Sequence, residues 1–292
     1  MTDRKPHLIV FPRHRPGTGR LRPPRLRGLA IHRLIPNILT VLALCCGVTA
    51  IRFAAQGRLE TAVLFIVLAA IFDGLDGRMA RLLKSTSAIG AELDSLSDFV
   101  SFGVAPAMAL YYWSLQSLGG IGWGIALVYA ICCGYRLARF NIKSGVTSDV
   151  PSYTHNYFTG VPAPGGAGLV MIPMMLSFGS GTDFSHYTPL IGAWSLGVGF
   201  LMASTLPTFS IKRFKVPQRY VLPTLLVVGL TMASMISDPW LTLSTVGVIY
   251  LASICFSIWS YHRLQKMAEQ TAGAETNPGA DAQDHTDKGT SA

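Results

Sequence analysis

Residues 72–99 read FDGLDGRMARLLKSTSAIGAELDSLSDF, four aspartates set between apolar flanks. Asp73 and Asp76 lie three apart at the end of one apolar segment; Asp94 and Asp98 lie four apart at the start of the next. At about 100° per residue, Asp73, Asp76, Gly77, Ala80 and Arg81 fall within roughly a 140° sector of one helix. Gly90, Asp94 and Asp98 fall within roughly 80° of the following helix. The short link between the two lets the acidic faces meet.

An ionisable group inside a membrane span costs about 2.5–3.5 kcal/mol on insertion scales, which makes it a functional candidate. Four carboxylates facing one another repel until a cation neutralises them. An all-oxygen ligand set favours hard ions such as Mg²⁺, Mn²⁺ or Ca²⁺. Two such ions a few ångströms apart suit phosphoryl chemistry, clamping the attacking and leaving oxygens. Gly77, Ala80 and Gly90 let a ligand approach the backbone, and Arg81 adds a cation for a phosphate. A plainer reading pairs Asp76 with Arg81 as interhelical glue; it accounts for one aspartate and not for four.

The rest of the 292-residue chain places this stretch in a membrane. Only 13% of its residues are charged and 50% are hydrophobic, with mean hydropathy +0.40. A soluble domain carries about 25% charged residues, so a large water-exposed catalytic domain is excluded. Runs long enough to cross about 30 Å of hydrocarbon are expected near 34–54, 60–83, 91–116, 121–141, 160–179, 187–206, 220–237 and 240–261. The fold class is therefore an all-α polytopic membrane protein of about eight transmembrane helices. With both termini on one side, 22 of the 24 Lys and Arg residues collect there, and only Arg52 and Arg58 lie opposite. That asymmetry reads as N-in, C-in.

Three regions follow: an arm (1–33), a transmembrane catalytic domain (34–262) and a polar tail (263–292). The arm holds nine basic residues among prolines and glycines and cannot build an apolar core. Beside a span it suits anionic membrane lipids better than nucleic acid. The tail is rich in Gly, Ala and Asp and is expected to be disordered. Cys45, Cys46, Cys132, Cys133 and Cys255 all fall in apolar stretches. They read as buried thiols, not as a disulfide framework or a zinc site.

Asp73-x-x-Asp76-Gly77-x-x-Ala80-Arg81-x8-Gly90-x-x-x-Asp94-x-x-x-Asp98 resembles, at every defined position, the signature of the CDP-alcohol phosphotransferases. The resemblance implies that fold and a membrane enzyme with two divalent ions, Mg²⁺ or Mn²⁺, that displaces CMP from a CDP-linked lipid with an alcohol. It further implies that Asp73, Asp76, Asp94 and Asp98 hold the metals and that Asp98 is the general base. Gly77, Ala80, Arg81, Ser87 and Gly90 would line the CDP site. Pro36-Asn37-Ile38-Leu39-Thr40 is similar to the family's opening helix motif, which brings Asn37 and Thr40 to the nucleotide; Pro36 is equally well placed simply to start a helix.

Three further segments resemble bacterial integral-membrane phosphatidylserine synthases: Arg136-Leu-Ala-Arg139-Phe-Asn141, Phe158-Thr-Gly-Val-Pro-Ala-Pro164, and Leu201–Ser204 with Pro207-Thr-Phe-Ser210. Transfer of the phosphatidyl group from CDP-diacylglycerol to L-serine, inside a homodimer at the cytoplasmic face of the inner membrane, is what that resemblance implies. Arg136 and Arg139 lie three apart at the inner surface and suit capture of the serine carboxylate, with Asn141 beside them. They also fit lipid phosphates at the membrane boundary. His155 and Asn156 lie in a polar loop that could cover the acceptor. Glycerol 3-phosphate, inositol phosphate or choline as acceptor would keep the chemistry. A cation transporter would keep only the carboxylates, and this sequence shows no inverted repeat of broken helices.

Overall fold

Small residues recur three and four apart along one face of the first helix: Thr40, Ala43, Gly47, Ala50 and Ala54. In the computed structural model, which describes residues 31–83, 87–145, 157–204, 207–209, 220–254 and 256, this seam belongs to α1 (Ile31–Ala55). It packs against α2 (Leu59–Leu82), whose buried face runs through Ala62, Val63, Ile66, Ala69 and Asp76. Apolar lipid gives helices little hydrophobic reason to associate, so close backbone approach and dispersion hold such a pair together.

The third helical run follows the same seam. It comprises α3 (Ala88–Asp98), a π-helical turn (Phe99–Val104) and α4 (Ala105–Trp113). Ser97 and Ser101 donate to the carbonyls of Thr40 and Ala43, each at 3.1 Å. A side chain at Gly47 would strike Ser101, whose Cα lies 2.8 Å from the position of the missing Cβ.

The π turn has a cause. Pro106 has no N–H to return to the preceding turn, and the Ala105 N–H reaches back five residues to Val100. The buried Tyr129 hydroxyl donates to the Phe102 carbonyl at 3.2 Å. Tyr129 belongs to α5 (Gly120–Gly145), which follows a 3₁₀ turn at Leu115–Leu118. A second proline repeats the device. α6 (Ala163–Val170) and α7 (Ile172–Ser180) meet at 45°, where Pro173 leaves the last turn of α6 short of a donor. Trp194 Nε1 of α8 (Thr188–Ala203) supplies one to the Leu169 carbonyl at 3.0 Å.

Helices α9 (Val221–Ser237), which buries no residue, and α10 (Pro239–Ile254) follow. Strands β1 (Tyr157–Thr159) and β2 (Pro207–Phe209) pair antiparallel, with Phe158 opposite Thr208. This small sheet departs from an all-helical expectation and joins two of the sequence motifs quoted above. Leu34–Ala55 and Gly120–Ile142 are long and apolar enough to cross a membrane, and the bent α6–α7 pair makes a third candidate. α2 is long enough but carries Glu60, Asp73, Asp76, Arg78 and Arg81; the run from α3 to α4 is broken by its π turn. The arm to residue 30, His155, Asn156, the basic cluster between Lys212 and Arg219, Cys255 and the tail lie outside the described residues.

Replacing Trp194 by Phe strands the Leu169 carbonyl, and about 1–3 kcal/mol of stability should be lost. A lower apparent melting temperature in detergent, with the helical circular dichroism retained, is the expected outcome.

Candidate active site

Asp76 follows Ala69 by seven residues on the buried face of α2, so the chain carries a carboxyl into the helix seam; the residue is only 4% exposed. Thr40 meets it there. The threonine Oγ1 donates to Asp76 Oδ2 at 2.7 Å and also lies 3.1 Å from the Pro36 carbonyl. Thr40 thereby links α1 to a carboxylate of α2, while its own carbonyl receives Ser97 from α3.

Ligand oxygens of Asp73, Asp76 and Asp94 lie within 4.8 Å of one another. Asp98, one turn beyond Asp94, comes within hydrogen-bonding reach of Asp73. Among the described residues the ion pair recorded within 4.0 Å is His186–Asp183, on the surface and outside this cluster. Arg81 folds back on its own helix, its Nε donating to the Gly77 carbonyl at 2.8 Å. The Asp76–Arg81 pairing weighed from sequence is therefore not formed, and no guanidinium or ammonium is salt-bridged to the four carboxylates among the described residues. Oxygens around one Mg²⁺ at about 2.1 Å stand about 3–4 Å apart, so Asp73, Asp76 and Asp94 fit a hard divalent ion with little movement.

A cavity of about 650 Å³ opens beside them. Asn37, Thr40, Asp76, Gly77, Ala80, Arg81, Ser87, Gly90 and Asp94 line it, together with Pro36, Ala91 and Phe140. Asp73 and Asp98 are not in the lining. A Cβ at Gly77 would meet nothing within 4 Å, so that backbone is open to a ligand. Gly90 is bare for another reason: a Cβ there would lie 2.9 Å from Asn37 Oδ1. Ser87 caps α3 by accepting the Gly90 N–H at 3.0 Å.

The two arginines of α5 have different surroundings. Arg139 donates from Nη1 to the Ala203 carbonyl at 2.9 Å and from Nη2 to the Ser204 carbonyl at 2.7 Å. It thus satisfies carbonyls that the end of α8 leaves open. Gly160 accommodates this corner with φ of +84°, where a Cβ would come within 2.8 Å of the Ser204 carbonyl oxygen. Arg136 is within electrostatic reach of Asp98, Cys133 and Tyr250, and its buried Nε has no hydrogen-bond partner among the described residues. Asn141 donates to Ser95 at 2.8 Å and ties α5 to α3.

Phe140 and Tyr250 join these surroundings without having been singled out from sequence. Phe140 lies inside a quoted motif, but Tyr250 has no spacing to mark it.

Thr40→Val should leave the helices intact and loosen Asp76. Loss of a hydrogen bond that orients a metal ligand costs about 10–100-fold in affinity. The Mg²⁺ concentration giving half-maximal thermal protection should rise by about that factor.

The family sequence model described as CDP-alcohol phosphatidyltransferase matches residues 33–206, and the one described as CDP-alcohol phosphatidyltransferase 2 matches residues 219–254. The chain is 36% identical over 239 residues to a CDP-diacylglycerol–serine O-phosphatidyltransferase of Mycobacterium tuberculosis, covering 81% of this chain and 82% of that protein. The protein of that name from Mycobacterium leprae is 38% identical over 239 residues, 80% of this chain and 78% of its own. The one from Bacillus subtilis is 38% identical over 173 residues, 59% of this chain and 88% of its own. With the carboxylate cluster and the adjoining cavity, these likenesses lead to one conclusion: the chain belongs to the CDP-alcohol phosphatidyltransferase family.

Proposed function

We propose that the protein transfers the phosphatidyl group of CDP-diacylglycerol to L-serine, releasing CMP and phosphatidylserine. The observation that carries this reading is the meeting of Asp73, Asp76 and Asp94 within 4.8 Å beside a cavity of about 650 Å³. The names of the relatives support serine as the acceptor.

In this reading Asp73, Asp76, Asp94 and Asp98 hold two divalent ions, Mg²⁺ or Mn²⁺. When bound there, such ions would supply charge neutralisation for the pyrophosphate and for the departing CMP oxygen. Asn37, Thr40, Gly77, Ala80, Ser87 and Gly90 receive the CDP moiety, and Arg81 meets its phosphate. Asp98 takes the proton of the serine hydroxyl. The serine oxygen attacks the lipid-side phosphorus, the bond from that phosphorus to the bridging oxygen breaks, and CMP leaves with the electron pair. Positioning and charge neutralisation carry the rate, and no enzyme-bound covalent intermediate is needed.

Arg136 holds the serine carboxylate. Arg139, engaged with the end of α8, acts by fixing that wall, and Asn141 acts through Ser95. A single half-buried guanidinium suits a carboxylate better than the dianion of glycerol 3-phosphate or inositol phosphate, and it repels choline. Eight spans with both termini in the cytoplasm would put the site at the cytoplasmic face of the inner membrane. The three-region division at residues 33 and 262, a homodimer, and an arm resting on anionic lipid complete the proposal.

Detergent-solubilised protein with CDP-diacylglycerol and Mg²⁺ or Mn²⁺ should release CMP with serine and not with glycerol 3-phosphate, inositol phosphate or choline. Asp98→Asn should lower kcat by about 100-fold or more. Turnover with a different acceptor, at undiminished metal dependence, contradicts the serine assignment.

A further inference from the structure

α10 lies far along the chain from the aspartates. Tyr250 of α10 lies over the start of α6: a Cβ at Gly165 would fall 3.1 Å from both Cε1 and Oη of its ring. Pro162 Cγ lies 3.3 Å from the same point. The phenol is thus seated on backbone left bare by glycine. Arg136 stands within electrostatic reach of both Tyr250 and Asp98. Its buried Nε–H has no acceptor, and no salt bridge joins it to Asp98 within 4.0 Å among the described residues.

We infer that Tyr250 is a specificity-determining residue that binds the carboxylate of the acceptor alcohol together with Arg136. The inference rests on the serine reading above and extends it to one residue. Arg136 offers only donors, and the phenol offers its proton beside them. Their complement is a small, singly charged, acceptor-only group, which describes a carboxylate. A phosphate dianion calls for a second cation, and the neighbouring Arg139 already serves the carbonyls of Ala203 and Ser204. Asp98, also within electrostatic reach of Arg136, is then the group that meets the hydroxyl end of the same small molecule.

Steady-state kinetics of the full chain with CDP-diacylglycerol test this, using serine and, as the acceptor lacking a carboxylate, ethanolamine. Tyr250→Phe keeps the ring on Gly165 and removes the donor. Loss of a hydrogen bond to a charged group should raise the serine KM about tenfold to a hundredfold. The KM for CDP-diacylglycerol and the apparent melting temperature should stay unchanged, and the preference for serine over ethanolamine should shrink. Gly165→Ala, whose methyl would crowd the phenol, should raise the serine KM in the same direction. Wild-type turnover of serine with an unmoved serine KM in Tyr250→Phe overturns the inference alone. So does a parallel rise in both KM values, which marks a structural role. A wild-type protein that ignores serine overturns the serine reading, and the inference with it.

Discussion

The hydrogen bond from Thr40 to Asp76 ties the structure's requirements together. Asp76 lies on a face of α2 whose small members, Ala62 and Ala69, let α1 approach. A buried carboxyl in such a seam needs a donor, and Thr40 provides one at 2.7 Å. The same threonine accepts Ser97 at its carbonyl, so three helices converge on one residue. What that convergence cannot supply is positive charge. Asp73, Asp94 and Asp98 crowd the same end of the bundle without a salt-bridged Lys or Arg among the described residues. A close-packed seam thus delivers a set of oxygens whose repulsion a hard cation relieves.

Two prolines shape the bundle around that end. Pro106 and Pro173 each remove a backbone donor inside an apolar environment, where an unmatched carbonyl is costly. Each cost is met by an aromatic side chain from another helix, Tyr129 for the Phe102 carbonyl and Trp194 for the Leu169 carbonyl. The resulting π turn follows directly after Asp98, and the 45° bend follows the segment that carries Gly160 and Gly165. Irregular backbone therefore occurs where a proline withdraws a donor, and aromatic donors from neighbouring helices make it tolerable.

Much of the site was legible because it depends on local periodicity. Residues three, four and seven apart share a helix face wherever the helix packs, so Asp73 to Asp98 could be grouped by counting. The residues that the motif assigns to a nucleotide all line one cavity. The arginines resisted the same treatment. Arg136 and Arg139 are one turn apart and looked alike, yet the end of α8 engages one and leaves the other without a partner at Nε. That difference depends on where α8 ends in space. Tyr250 was illegible for the same reason: its seat is the bare backbone of Gly165, a contact no sequence interval encodes. The β1–β2 pairing likewise joins segments that sequence treated separately.

The central claim is that the carboxylates at the ends of α2 and α3 form a divalent-cation site. Anomalous diffraction from crystals grown with Mn²⁺ tests it most directly. The account predicts an anomalous peak among the oxygens of Asp73, Asp76 and Asp94, lost in Asp94→Asn. Bound Mn²⁺ elsewhere, with those three carboxylates left bare, would contradict it.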